Sequence, residues 1–72
     1  MKSKRIEITT PFIRLDALLK LAGLANTGGH AKMVIQNGEV RVNDEICMMR
    51  GKKLTPDDKV LYDGWEIIVT QK

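Results

Sequence analysis

The sequence predicts an α+β fold: an αα-hairpin packed on a small, mostly antiparallel β-sheet. Three observations predict it. Between Leu15 and Gly38, apolar residues recur at helical spacing in two short blocks, each closed by a glycine. From residue 39 onward the apolar period drops to two. Two turn dipeptides, Asn43-Asp44 and Asp63-Gly64, then divide that second half into short strands.

Taken in order, Lys4 to Thr9 alternate charged and apolar side chains, which reads as a short strand. Thr10-Pro11 reads as a helix start, an N-cap hydroxyl followed by a proline where no N–H is needed. Leu15, Leu18, Leu19 and Ala22 fall at i, i+3, i+4 and i+7, one face of a helix. Gly23 supplies its left-handed stop. Thr27 is the next N-cap, Ala31, Val34 and Ile35 form the apolar stripe of a shorter helix, and Gly38 closes it. A connection of about four residues makes the two an αα-hairpin. Val40 and Val42 then alternate with Glu39, Arg41 and Asn43, and Glu45 to Met49 reads as the returning strand. Arg50-Gly51-Lys52-Lys53 is a basic loop, and Thr55-Pro56-Asp57-Asp58 is another turn. Lys59–Tyr62 and Trp65–Val69 flank Asp63-Gly64, which suits a two-residue type I′ turn and sets Tyr62 opposite Trp65.

With 72 residues the chain holds one domain, 1–72, with a core so small that every element must contribute to it. One cysteine, Cys47, excludes an intramolecular disulfide, and a single histidine, His30, excludes a Cys/His zinc cluster. Neither a metal nor any other cofactor is expected. The first residues lack the apolar stretch of a signal peptide, and no apolar run reaches the roughly 20 residues of a membrane span, so a cytoplasmic protein is expected; a monomer is the expected state. Catalysis has little to stand on: Ser3 is the sole serine, and no phosphate-binding or dinucleotide fingerprint is present. Charge is uneven. Residues 1–53 hold ten Lys or Arg against five Asp or Glu, and residues 54–72 hold two against four. A basic body with an acidic end suggests one surface aimed at an anion, either a nucleic acid or nothing more specific than water.

The run RLDALLKLAGL followed by TGGHAKMVIQNGEVRVND, residues 14–24 and 27–44, is the strongest signal. In the order and spacing of Arg14-Leu15-Asp16, Gly23, Ala31, Ile35, Gly38 and Val40-Arg41-Val42-Asn43 it resembles the S-four domain. That RNA-binding module, with its αL-type motif, is named after small-subunit ribosomal protein four. The resemblance spans about residues 14–60 and extends loosely to Val69. Within the family, the short stand-alone bacterial proteins of the YaaA and YbcJ type are the most similar in length, in the Gly-Gly after the N-cap and in the basic loop. The resemblance implies binding of structured RNA, ribosomal RNA or the ribosome above all, and makes Arg14 an RNA contact. One departure stands out. Where much of the family has Ser-Arg at the start of the second helix, this chain has Thr27-Gly28, keeping the cap and losing a guanidinium.

The candidate contacts are Arg14, Thr27, Gly28, Gly29, His30, Lys32, Arg41, Arg50, Lys52 and Lys53. Arg14 would lie on the first helix, either on RNA or paired with Asp16. Thr27-Gly28-Gly29 would present bare N–H groups to a phosphate, or only cap and turn the chain. Lys32, one turn on, would flank that phosphate. His30 would donate to RNA or stand uninvolved in solvent. Arg41 points away from Val40 and Val42. Arg50, Lys52 and Lys53 form a cationic cluster or a solubilising loop. Tyr62 and Trp65 are stacking platforms or a cross-strand pair, the latter preferred because their segment is acidic. Cys47, within a strand, is expected to be buried. Rival readings are a DNA-binding helix-turn-helix-like protein and an adaptor for an acidic protein partner.

Overall fold

The computed structural model describes residues 2–72. In chain order the elements are β1 (Lys2–Ile8), β2 (Ile13–Arg14), α1 (Leu15–Leu21), α2 (Gly28–Gln36), β3 (Arg41–Val42), β4 (Glu45–Ile46), β5 (Lys53–Leu54), β6 (Lys59–Tyr62) and β7 (Trp65–Gln71). The main sheet runs β1-β7-β6-β3-β4, and β2 and β5 form a separate two-stranded sheet. The α+β architecture expected from the sequence is therefore present. The main sheet is mixed, however. Three of its pairings are antiparallel, but the longest is parallel: β1 lies along β7 from Lys2↔Trp65 to Ile8↔Gln71. Parallel strands need a long crossover, and here everything between β1 and β7, both helices included, supplies it.

The helices follow from their caps. α1 starts at Leu15, not at Pro11. Ile13 and Arg14 are held extended by pairing with Leu54 and Lys53, and Arg14 has φ −73° and ψ 149°. The first turn is capped by backbone from far along the chain: Leu15 N–H donates to the Lys52 carbonyl (2.9 Å) and Asp16 N–H to the Arg50 carbonyl (3.1 Å). The Asp16 carboxylate accepts from Ala17 N–H at 2.8 Å. The Thr10 hydroxyl, expected to cap, instead donates to the Phe12 carbonyl at 2.8 Å. Gly23, with φ +77°, ends α1 as expected. The connection to α2 runs through residues 22–27, longer than the four residues expected. Thr27 caps α2, its hydroxyl accepting from His30 N–H at 3.0 Å.

Asn43-Asp44 and Asp63-Gly64 both adopt left-handed pairs (φ 51° and 73°, 51° and 77°), the signature of type I′ turns. Tyr62 faces Trp65 across the second of them. The returning strand after Asn43-Asp44 is shorter than predicted. It ends at Ile46, because the chain must swing away to deliver the carbonyls of Arg50 and Lys52 to α1. Cys47 thus leaves the sheet and is a half-buried free thiol rather than a buried strand residue. Lys53, assigned to the loop, belongs to β5.

One core joins the layers. Leu15, Leu18 and Leu19 of α1 and Ala31 and Ile35 of α2 are fully buried, as are Val40, Leu54, Val60, Ile67 and Val69. Each large side chain buried this way contributes about 1.5–3 kcal/mol. Ala31 is the small contact that lets the helices approach. Along β7 only Ile67 and Val69 are buried and their neighbours are half-buried, so the core covers one face of the sheet.

Candidate nucleic-acid interface

The site is assembled on the short β2–β5 pair. Its register sets Ile13 opposite Leu54 and Arg14 opposite Lys53. Directly opposed residues share a face, so Leu54 is driven into the core with Ile13 against it, and Arg14 and Lys53 emerge together into solvent. The loop before β5 passes under the guanidinium: a Cβ built on Gly51 would lie 3.7 Å from Arg14 Nη2. Arg14 is not on α1, as its sequence position suggested, but at its N-cap. It pairs with Asp16 at 3.2 Å, the alternative anticipated for it, while its side chain stays 52% exposed. Such an exposed pair is worth at most about 1 kcal/mol, so it can be exchanged for a phosphate at little cost.

The N-terminus of α2 lies against the same region. Gly28 lines an open cleft with Arg14, Asp16, Ala17 and Lys20. The first amides of a helix have no intrahelical acceptor, and α2 has no acidic residue in its first turn to compete for an anion. Neither Gly28 nor Gly29 has a left-handed φ, and a Cβ at Gly28 would meet nothing within 4 Å. Lys32 follows one helical turn after Gly28 and is exposed. His30 is not the solvent-exposed, uninvolved residue that the sequence favoured over an RNA contact. It is half-buried, and its Nδ1 accepts from Asn26 N–H at 3.3 Å, tying the interhelical loop to α2.

Two candidates fall elsewhere. Arg41 is exposed on β3 and lines a different groove with Glu39, Leu61, Tyr62 and Trp65. Burial, then the charges of Glu39 and Asp63, push the Tyr62 phenol above its ordinary pKa, and those two carboxylates line the groove beside Arg41. Lys52 gives its carbonyl to α1, but it lines a groove with Ile46, Met48 and Met49. Arg50 is exposed, and its carbonyl also serves α1.

Two neighbours of this face were not among the candidate contacts. Lys20 is exposed in the cleft. Phe12 lies beside Lys53, whose Nζ is 4.9 Å from the ring centroid. The signal for Phe12 was its spacing of two from Arg14, visible only once residues 13–14 are read as a strand. Tyr62 and Trp65 form the expected cross-strand pair, and Lys2 and Lys4 lie over the indole at 5.3 and 4.8 Å. Among the described residues no group of three His, Cys, Asp or Glu could hold a metal ion, and no helix is long and apolar enough to cross a membrane.

A capped αα-hairpin on a small sheet, with a basic cleft at the helix starts, defines the class: residues 6–70 match the S4 domain family, and the chain belongs to it. The match reaches past the motif core of residues 14–60 into β1 and β7. The chain is similar to the probable ribosome maturation protein RlbA of Bacillus subtilis, 43% identical over 60 residues that make up 83% of this chain and 84% of that protein. It also resembles the solution structure of YbcJ from E. coli, described as revealing an αL motif involved in RNA binding. That likeness has a TM-score of 0.68 at 27% identity, over 97% of this chain and 87% of YbcJ.

Proposed function

We propose that this S4 domain is a monomeric, non-catalytic RNA-binding protein of the cytoplasm that grips structured ribosomal RNA, free or within the ribosome. It does so through Arg14, Lys53, Lys20, Lys32 and the N-terminus of α2. The observation that carries the reading is that Arg14 and Gly28 line one exposed cleft while β2–β5 pairing sets Lys53 beside Arg14. Cations and free helix-terminal amides on one face match what A-form RNA offers, phosphates and 2′-hydroxyls rather than readable base edges. The likeness to RlbA and YbcJ supports the ribosomal and RNA parts of the reading. A major-groove reader is less well supported: the side chains that α2 offers are few, and His30, one of them, is engaged within the protein.

The test is a titration against a ribosomal RNA hairpin and a DNA duplex of matching sequence, repeated over a salt series. The expected result is preference for RNA and a linear fall of log affinity with log salt. Its slope should correspond to about 3 to 5 phosphates neutralised. Equal or tighter binding to DNA, or affinity indifferent to salt, overturns the proposal. Capture of an acidic protein that survives nuclease treatment would favour an adaptor.

A further inference from the structure

We infer that Phe12 is a stacking platform for an unpaired nucleobase at the edge of the basic face, with Lys53 and Arg14 receiving the phosphates of the same strand. The inference deepens the RNA-binding reading and rests on it.

The chain has one Phe, one Tyr and one Trp. Tyr62 and Trp65 are paired across a turn and half-buried, and two lysines lie over the indole. Phe12 alone is exposed, at 39%. Its position is fixed rather than incidental. The next residue, Ile13, is pinned to Leu54 and packs against the core, and the Phe12 carbonyl is held by the Thr10 hydroxyl at 2.8 Å. Continuing the strand alternation back from Arg14 puts Phe12 on the same outward face as Arg14 and Lys53. The 4.9 Å separation of Lys53 Nζ from the Phe12 centroid agrees with that placement. With Lys53 Nζ over the ring, Phe12 is still 39% exposed, and that exposed part gains nothing from burial. As a nucleotide site the same arrangement is complete: a ring face for the base, two cations for the backbone, and a rigid strand pair holding all three.

A fully paired A-form helix keeps its bases stacked within itself, so Phe12 would have no partner there. The platform therefore selects RNA with a bulged or terminal unpaired base. The probes are two labelled RNA hairpins identical except that one carries a single bulged adenosine, titrated by anisotropy against wild type, Phe12→Ala, Phe12→Leu and Phe12→Tyr. Wild type is expected to prefer the bulged hairpin. Phe12→Ala and Phe12→Leu should weaken that complex roughly tenfold and leave the paired hairpin within about twofold. Phe12→Tyr should behave as wild type. Phe12→Leu retains apolar bulk, so it guards against a loop that merely loses packing in Phe12→Ala. An equal loss on both hairpins, or no loss on either, overturns the platform while leaving the basic face standing. Failure of wild type to bind either hairpin removes the RNA-binding reading itself, and the platform with it.

Discussion

Gly28→Arg restores the guanidinium that much of the S4 family carries and this chain lacks, and it is expected to tighten RNA binding. The structure allows the change. Gly28 is the first residue of α2, its φ lies outside the left-handed region, and a Cβ there meets nothing within 4 Å. Arg is a better helix former than Gly by something under about 1 kcal/mol, less at a first-turn position. A cation at a helix N-terminus costs about 0.3–1 kcal/mol. The two effects nearly cancel, so the melting temperature should move by only a few degrees, within the roughly 4–8 °C that 1 kcal/mol represents in a domain of this size.

For binding, a hydrogen bond to a charged partner contributes about 1.5–3 kcal/mol. Arg14 and Lys20 line the same cleft and repel a third cation. At water-like screening that repulsion is at most about 1 kcal/mol for a 4 Å approach. The net gain is about 1–2 kcal/mol, or roughly five- to thirtyfold in affinity. One further phosphate neutralised should also steepen the salt slope by about 0.7–0.9. The assay is anisotropy with a ribosomal RNA hairpin at one fixed salt concentration, then over a salt series, with Gly28→Ala as the uncharged control. If folded Gly28→Arg binds more weakly, and Gly28→Ala does too, the reasoning fails. RNA backbone would then approach the bare glycine closely, a mode that any side chain obstructs.

Further outcomes follow from the same geometry. Lys32→Glu, and the double change Lys52→Glu with Lys53→Glu, should each weaken RNA binding several-fold without unfolding the domain. Lys53→Glu alone should account for most of the double change, because Lys52 lines another groove; unchanged affinity throughout would move the interface elsewhere. Ala31→Leu should cost about 1–3 kcal/mol in urea denaturation, since Ala31 is fully buried between the helices, and a neutral result would mean that the helices do not pack so closely. Burial raises the pKa of the Asp58 carboxyl, but bonds from Thr55 N–H (2.8 Å), Asn43 Nδ2 (3.1 Å) and the Thr55 hydroxyl, with the Lys52 charge, outweigh it and hold the pKa below the ordinary carboxylate value. That stabilisation is present above the unfolded-state pKa and is lost as pH falls through the lowered folded one. Asp58→Asn should therefore destabilise by about 1 kcal/mol at neutral pH, with the difference from wild type shrinking in acid; a difference constant down to strong acid would show that the charge is irrelevant.

Most of the fold was legible because it is written locally. Leu15, Leu18 and Leu19 declare their face by spacing, Thr27 and Gly38 declare the ends of α2, and Asp63-Gly64 declares both a turn and the register of the strands around it. What misled was long-range. Thr10-Pro11 has the chemistry of a helix start, but the start was moved to Leu15 by Lys53-Leu54, a partner far along the chain whose pairing no local pattern reveals. The parallel β1–β7 pairing was hidden for the same reason. Alternation shows that Ile6 and Ile8 share a face but not which strand lies beside them.

The candidate site divides along the same line, and Arg41 shows why. Alternation placed Arg41 opposite Val40 and Val42, and it is indeed exposed where they are buried. In a two-layer fold the buried face of the sheet is the one the helices cover. A strand residue pointing outward is by that fact on the far side of the sheet from the N-terminus of α2. The inference that made Arg41 available for contact is thus the inference that separates it from Gly28. Arg14 and Lys53 escape this rule because β2 and β5 are not part of the main sheet. Their two-residue ladder lies at the start of α1 and turns its polar face toward the helix ends. The cationic face depends on that minor sheet, and a pairing of two residues is too short for periodicity to announce.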